Sequence, residues 1–93
     1  MAFSFLTQEI AMDLGTANTV IFRNDDIVMD APSIVAIDNN TGKCIAIGQQ
    51  AKLMHEHTNP GIKAIRPLRN GVIADFNAAE MMIKGLIKQV NSE

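Results

Sequence analysis

Residues 10–21 constrain the fold more than any other part of the sequence. Residues 10–12 are apolar and lead into Asp13, which predicts a strand that ends in a carboxylate. Gly15 favours a tight turn, because glycine adopts backbone angles and allows close approaches that other residues do not. Residues 19–22 are β-branched or aromatic and favour a returning strand. The pattern therefore predicts a strand, a tight turn and a second strand.

The predicted turn carries residues that suit an anion site. Thr16, Asn18 and Thr19 supply side-chain donors, and a tight turn can direct several backbone N–H groups at one point. Asp13 would repel a phosphate directly, but a carboxylate can hold a hydrated divalent cation that bridges to phosphate oxygens, or orient a water. A short motif of this kind also occurs in ordinary hairpin turns. The residues alone leave both interpretations open.

The stretch Asp13-Leu14-Gly15-Thr16-Ala17-Asn18-Thr19 resembles the first phosphate loop of the actin-like ATPases, in the form used by the MreB family of bacterial actins. The similarity continues through residues 31–38 and is strongest over residues 64–76. Asp-x-Gly-Thr is shared with chaperone ATPases and sugar kinases, so it marks only the superfamily. The later stretch narrows the resemblance to the MreB family, and the resemblance covers residues 10–90.

The resemblance implies an α/β fold. The chain would be the N-terminal part of an actin-like (ribonuclease H-like) ATPase domain, with β-hairpin strands, a packed helix and an inserted small α/β subdomain. Residues 1–32 and 66–93 would form part of the inner, IA-like subdomain with the first phosphate loop. Residues 33–65 would form the small, IB-like subdomain. Because the family's second phosphate loop and adenosine pocket come from later sequence, this chain alone is not expected to be catalytic.

The resemblance also assigns roles to the loop residues. It implies that the full-length protein binds ATP with Mg²⁺, with Thr16, Ala17 and Asn18 contacting phosphates and Gly15 shaping the turn. Asp13 would hold the magnesium ion through water. The implied function is a filament-forming ATPase that directs cell shape and cell-wall growth, together with cell-wall elongation proteins. A sugar-kinase or chaperone-type ATPase of the same superfamily is the alternative, and a pure interaction module with a vestigial loop is a third possibility.

Composition argues against several other classes of function. A chain of 93 residues is one domain at most. Its net charge of −2 and the lack of a basic stripe give no attraction for nucleic acid. The lone Cys44 cannot form an internal disulfide, which fits a reducing cytosol. No apolar run approaches the roughly 18 residues of a membrane span, and the N-terminus lacks the regions of a signal peptide.

The first six residues allow two interpretations. They predict a frayed, loosely packed terminus, because chain ends are poorly ordered unless something holds them. Alternatively, Phe3, Phe5 and Leu6 would touch the cytoplasmic membrane, since MreB-like proteins dock on its inner face. This segment carries no Lys or Arg, so the attraction would be hydrophobic only and weak. The expected location is cytoplasmic, at the inner face of the cell membrane.

The middle of the chain predicts short elements. The pattern favours strands at residues 27–29, 33–37, 43–47 and 62–65, with a hairpin turn at residues 38–42. Residues 48–57 predict a short helix with Ala51, Met54 and Leu53 facing inward. Residues 66–71 predict a loop, and residues 72–74 a short buried run.

Residues 76–90 predict the most regular helix. Asn77 is the expected N-cap, Glu80 its capping-box partner, and Phe76 with Met81 a hydrophobic staple. One broad apolar arc is formed by Ala79, Met82, Ile83, Leu86, Ile87 and Val90. Such an arc needs a sheet to cover it. Since the family supplies further strands from later sequence, the isolated chain is expected to self-associate as a dimer or larger species.

Overall fold

A computed structural model describes residues 2–5, 10–57 and 60–92 of the chain. Its first four strands pair in chain order as one antiparallel sheet. They are β1 (Ala2–Phe5), β2 (Ile10–Leu14), β3 (Asn18–Arg23) and β4 (Asp26–Pro32). Asn24 and Asp25 both have positive φ, at 52° and 69°, which is the backbone geometry of a two-residue hairpin turn. The predicted strand, turn and strand over residues 10–21 is confirmed.

A second, three-stranded sheet follows. It consists of β5 (Val35–Asp38), β6 (Cys44–Ile47) and β7 (Ile62–Ile65), in the order β6-β5-β7. The expected hairpin turn is present, because the Asp38 carboxylate accepts a 2.7 Å hydrogen bond from the Asn40 amide and Gly42 has a φ of 74°. The helix α1 (Gln49–Glu56) connects β6 to β7. Ala51 of this helix is fully buried, as predicted, but Leu53 is 46% exposed, so its predicted inward position is wrong.

A third sheet, of two strands, begins within the predicted loop. β8 (Leu68–Arg69) and β9 (Val72–Ile73) form a small antiparallel hairpin. Asn70 and Gly71 make its turn, with φ values of 52° and 76°. Asn-Gly is the sequence pair that best tolerates positive φ at both central positions. The predicted buried run at residues 72–74 is also wrong, because Val72 is 66% exposed, Ile73 is half-buried and Ala74 is exposed.

The long helix is α2 (Phe76–Asn91), and its first residue lies one position before the predicted cap, Asn77. Asp75 is the N-cap, and its carboxylate accepts a 2.9 Å hydrogen bond from the Ala78 amide. Asn77 therefore lies inside the helix, and the capping box is not formed. Phe76 is 77% exposed, so the predicted staple is absent as well. Glu80 instead lies 3.7 Å from the Lys84 ammonium, one turn along the helix.

The apolar face of α2 covers the main core. Ala78, Ala79, Met82, Leu86 and Val90 are buried, as the periodicity predicted for all but Ala78. All of them except Ala79 belong to one cluster with residues from the first two sheets, including Met12, Ile21, Val35 and Ile47. A smaller cluster under α1 contains Ile34, Ala36, Ala46 and Ala51. The first sheet and α2 thus enclose the base of the β2–β3 turn.

The N-terminal segment differs from the predicted frayed end. The backbone of β1 pairs with β2, with Ala2 opposite Asp13 and Phe5 opposite Ile10. Leu6 and the side chains of Phe3 and Phe5, which the membrane hypothesis invoked, lie outside the described part of the chain. Within residues 2–5, 10–57 and 60–92, neither helix combines the length and apolar character needed to cross a bilayer. The division into IA-like and IB-like subdomains stays a prediction.

Candidate functional site

The turn between β2 and β3 presents the predicted site residues on one exposed surface. Thr16, Ala17 and Asn18 are exposed, and so is Asp13, which lies near the end of β2. Gly15 is half-buried beneath them. Among the described residues, the amides of Thr16 and Ala17 donate no hydrogen bond. Two backbone donors of an exposed turn are thereby left for a ligand or solvent.

Gly15 is needed in this turn because of a close backbone approach. A Cβ atom at this position would collide with the carbonyl oxygen of Asn18. Its φ is not among the positive values of the described glycines, so an unusual backbone angle is not the reason for glycine here. The turn closes on itself so tightly that only a residue without a side chain fits.

Ser33 holds the turn from below, and sequence reasoning missed it. Its hydroxyl donates to the carbonyl oxygen of Gly15, with an O–O distance of 2.8 Å. Its backbone amide donates to the carbonyl oxygen of Ala17, also at 2.8 Å. Ser33 is 0% exposed and follows directly after β4. It lies within residues 31–38, the second stretch of family resemblance, and this was the one sequence signal that pointed to it.

Thr19 does not supply a donor to the exposed surface, contrary to the sequence-based expectation. Its side chain is 0% exposed, and its Oγ1 lies 2.8 Å from the Ser33 Oγ. The single hydroxyl hydrogen of Ser33 goes to Gly15, so Thr19 is the donor in this pair. Thr19 therefore contacts Ser33, and Ser33 alone of the two contacts the turn.

Two side chains of the turn have partners but keep further hydrogen-bonding capacity. The Thr16 hydroxyl accepts a 2.7 Å hydrogen bond from the Gly71 amide, so its own hydrogen remains available for an acceptor. The side-chain amide of Asn18 donates to the Asp30 carboxylate at 2.9 Å. Because a side-chain amide carries two hydrogens, Asn18 can still donate one.

A cleft of about 810 Å³ adjoins the turn at Thr16. Its walls include the cationic side chains of Lys63, Arg66 and Arg69. Asp75 is the carboxylate in its lining, and that group already caps α2. No ion pair involves these three cations among the described residues. The cleft therefore has a local excess of positive charge, which attracts anions although the whole chain is slightly acidic.

Asp13 is the only predicted metal-binding residue. In residues 2–5, 10–57 and 60–92, no group of three or more His, Cys, Asp or Glu side chains could hold an ion. A cation beside Asp13 would therefore take most of its ligands from water and from the oxygens of a bound anion, which is how Mg²⁺ is commonly held at phosphate sites.

The comparison with protein families decides the relationship. The model of the family described as MreB/Mbl protein matches residues 7–93, nearly the whole chain. The chain belongs to the MreB/Mbl family. This membership confirms the resemblance read from the sequence and favours it over the sugar-kinase and chaperone-type alternative.

Curated relatives carry the same family names. The chain is 47% identical to the cell shape-determining protein Mbl of Bacillus subtilis over 85 residues, which cover 90% of this chain and 26% of Mbl. It is 48% identical to the cell shape-determining protein MreB of Haemophilus influenzae over 91 residues, with 92% and 26% covered. The chain thus spans about a quarter of the length of these MreB/Mbl relatives.

Solved structures of the MreB/Mbl family share the fold. MreB5 of Spiroplasma citri bound to ADP matches with a TM-score of 0.76 at 35% identity, over 87% of this chain and 25% of that chain. MreB5 bound to AMPPNP matches with a TM-score of 0.71 at 37% identity, over 88% and 24%. The predicted fold, a fragment of an actin-like α/β ATPase domain, is confirmed.

Proposed function

We propose that the full-length protein is a cell shape-determining, actin-like ATPase in which the turn at residues 15–18 binds the phosphates of ATP. The observation that carries the proposal is the exposed turn itself. Its Thr16 and Ala17 amides donate to no described residue, and it opens beside a cleft lined by three cations. The relatives named as cell shape-determining proteins and the MreB5 structures with ADP and AMPPNP support it.

The residues of the turn fit a phosphate chain. Charge-assisted hydrogen bonds from backbone N–H groups to anionic oxygens are among the stronger hydrogen bonds in proteins. Thr16 can add its hydroxyl hydrogen, because that hydroxyl is an acceptor in its contact with Gly71. The compact backbone at Gly15, where a Cβ would collide with Asn18, keeps these donors close together. Asn18 can donate the second hydrogen of its side-chain amide, because only the first is used in the contact with Asp30.

Asp13 fits a magnesium ion held through water. Its carboxylate is exposed beside the turn, so it can accept hydrogen bonds from the hydration shell of an ion bound to phosphate oxygens. Mg²⁺ would neutralise part of the phosphate charge and thereby assist a nucleophilic attack by water. The role of Asp13 would be to orient and hold the hydrated ion. This chain supplies one side of the nucleotide site, and later sequence would supply the rest.

We also propose the wider family role for the full-length protein. It would form filaments by self-association in the cytoplasm, at the inner face of the cell membrane, and work with cell-wall elongation proteins. Phe3, Phe5 and Leu6 would provide a hydrophobic membrane contact. The support for these statements is membership of the MreB/Mbl family. Vesicle sedimentation with and without these three side chains would test the membrane contact.

The nucleotide proposal is tested by calorimetry on the full-length protein with Asp13→Asn. The variant should lose most of the Mg²⁺ dependence of ATP binding and hydrolysis while its melting temperature stays close to that of the wild type. Asp13 is exposed, so its replacement leaves no cavity. The matched control is Asp25→Asn, which removes the same charge in the β3–β4 turn, where Asn tolerates the positive φ of 69°.

Two results would count against the proposal. If the wild-type protein shows no heat of binding with Mg-ATP, the turn is not a nucleotide site and a pure interaction module becomes the better interpretation. If Asp13→Asn unfolds the protein while Asp25→Asn does not, Asp13 has a structural role and the assignment of the metal to it fails.

A further inference from the structure

Ser33 fixes the direction of two peptide groups in the phosphate-binding turn. A peptide unit is planar and trans, so its C=O and the following N–H point in opposite directions. The carbonyl of Gly15 points to the Ser33 hydroxyl, and the carbonyl of Ala17 points to the Ser33 amide. The N–H groups of Thr16 and Asn18, which belong to the same two peptide units, therefore point away from Ser33. Both residues are on the exposed side of the turn.

We infer that Ser33 is a positioning residue for nucleotide binding: its hydroxyl holds the Gly15 carbonyl inward so that the Thr16 amide faces the phosphates. This inference rests on the proposed function of the turn. Ser33 itself touches no phosphate, because it is fully buried. Its contribution is preorganisation, since donors that are already oriented need no rearrangement when the anion binds.

The surroundings of Ser33 make it a rigid support. Thr19 lies beside it on β3, with 2.8 Å between the two hydroxyl oxygens. The next residue, Ile34, is buried, and its carbonyl accepts a 2.9 Å hydrogen bond from Gly48 at the start of α1. Ser33 lies in the short connection between β4 and β5. The direction of the turn's amides is thereby tied to the junction of the two larger sheets.

The two contacts of Ser33 can be separated by mutation. Ser33→Ala removes the hydroxyl contact to Gly15 but keeps the backbone amide contact to Ala17, so it releases the peptide unit that carries the Thr16 N–H. The matched control is Thr19→Val, which removes the neighbouring buried hydroxyl and keeps both contacts between Ser33 and the turn. Each variant removes the contact between the two hydroxyls. Ser33→Ala also removes the contact with the Gly15 carbonyl, and Thr19→Val also removes the longer, 4.0 Å contact with the Met82 sulfur, so both variants should be less stable than the wild type.

The measurement is binding of Mg-AMPPNP to the full-length protein, by calorimetry and by the ligand-induced rise in melting temperature. Ser33→Ala should bind about tenfold more weakly, with a smaller ligand-induced rise. Thr19→Val should melt lower without ligand but bind within about twofold of the wild type, a difference below ~0.5 kcal/mol. A purely structural role of Ser33 would instead lower the melting temperature of Ser33→Ala and leave its affinity unchanged.

The remaining outcomes each decide the inference. If Ser33→Ala folds and its affinity stays within about twofold of that of the wild type, the inference is overturned. The inference is also overturned if Thr19→Val loses as much affinity as Ser33→Ala. If Ser33→Ala fails to fold, Ser33→Cys takes its place, because a thiol keeps the shape but donates weakly; unchanged affinity in that variant overturns the inference. A wild-type protein that does not bind AMPPNP overturns the proposed function and the role of Ser33 together. Binding by the wild type with equal binding by Ser33→Ala overturns the role of Ser33 alone.

Discussion

The backbone amide of Gly71 donates a 2.7 Å hydrogen bond to the hydroxyl of Thr16, across 55 positions of sequence. Gly71 lies in the turn between β8 and β9, and Thr16 lies in the turn between β2 and β3. The contact therefore joins the tips of two hairpins. It also settles the polarity of the Thr16 hydroxyl, which accepts from Gly71 and can donate to a ligand.

Two replacements of Thr16 should show whether its hydroxyl or its shape matters for binding and stability. Thr16→Val keeps the shape but has no hydroxyl, so in the full-length protein it should weaken Mg-AMPPNP binding several-fold and lower the free energy of unfolding by about 0.5–1.5 kcal/mol. Thr16→Ser keeps the hydroxyl and should stay close to the wild type in both. Calorimetry and urea unfolding measure these quantities. Equal behaviour of the two variants would show that the hydroxyl has no role.

Arg23 should stabilise the packing of β3 against the end of α2. Its guanidinium Nη2 lies 3.3 Å from the Asn91 side-chain oxygen and 3.5 Å from the Val90 carbonyl oxygen, where a positive charge also complements the helix dipole. Arg23→Met should lower the free energy of unfolding by about 1–3 kcal/mol. Lys84→Met is the control and should cost less than about 0.5 kcal/mol, because its pair with Glu80 is exposed. A loss at Lys84 as large as at Arg23 would contradict the assignment.

The contact between Gly85 and Ile47 should offset the stability that a helix normally gains when alanine replaces glycine. Replacing an interior helix glycine by alanine normally stabilises a helix by about 1 kcal/mol, but a Cβ at Gly85 would collide with the Cδ1 of Ile47. Gly85→Ala alone should therefore be neutral or destabilising. In an Ile47→Val background, which lacks that Cδ1 atom, the same change should stabilise the protein. Urea unfolding of the four proteins gives the coupling, and additive effects would show that the two residues do not interact.

The helix start illustrates what a local sequence pattern leaves undecided. Asp75 and Asn77 are both good N-cap residues, and the sequence alone favoured Asn77 because Glu80 completes a capping box. In the structure, the amides of Ala74 and Asp75 both donate to the carbonyl oxygen of Pro67, at 2.8 and 3.2 Å. This tertiary contact holds Asp75 in an extended conformation just before the helix, so the helix begins at Phe76.

Local chemistry could have predicted the β8–β9 hairpin. Asn70-Gly71 is a strong two-residue turn signal, but the flanking strands are only two residues long each, too short for a periodic pattern to show. The exposure of Val72 follows from the same shortness, because a two-residue strand at an edge buries little surface.

The site could be predicted only in part. The turn residues Asp13, Gly15, Thr16, Ala17 and Asn18 are contiguous, and their motif is visible in the sequence. The supporting residues Ser33 and Gly71 are 18 and 55 positions away from their partners in the turn. Sequence periodicity carries no information on such contacts. The burial of Thr19 was likewise decided by its position opposite Ala31 in the sheet, which the motif alone does not reveal.

The 93-residue chain should self-associate through β4. This strand is the last in the order β1-β2-β3-β4, and Ile27 on it is 65% exposed. Unpaired, apolar sheet edges recruit further strands. Ile27→Lys should shift the chain towards monomer, whereas Val72→Lys, at a residue that is 66% exposed on the small hairpin, should not. Light scattering measures both. A wild-type monomer at millimolar concentration would contradict this expectation.

The most direct test of the central claim is a crystal structure of the full-length protein with Mg-AMPPNP. The proposed role of this turn predicts phosphate oxygens at about 2.7–3.2 Å from the backbone nitrogens of Thr16 and Ala17. It also predicts that Ser33 still contacts the Gly15 and Ala17 carbonyls, and that Asp13 faces the hydrated magnesium ion. A nucleotide whose phosphates lie away from this turn, with the Thr16 and Ala17 amides facing solvent, would contradict it.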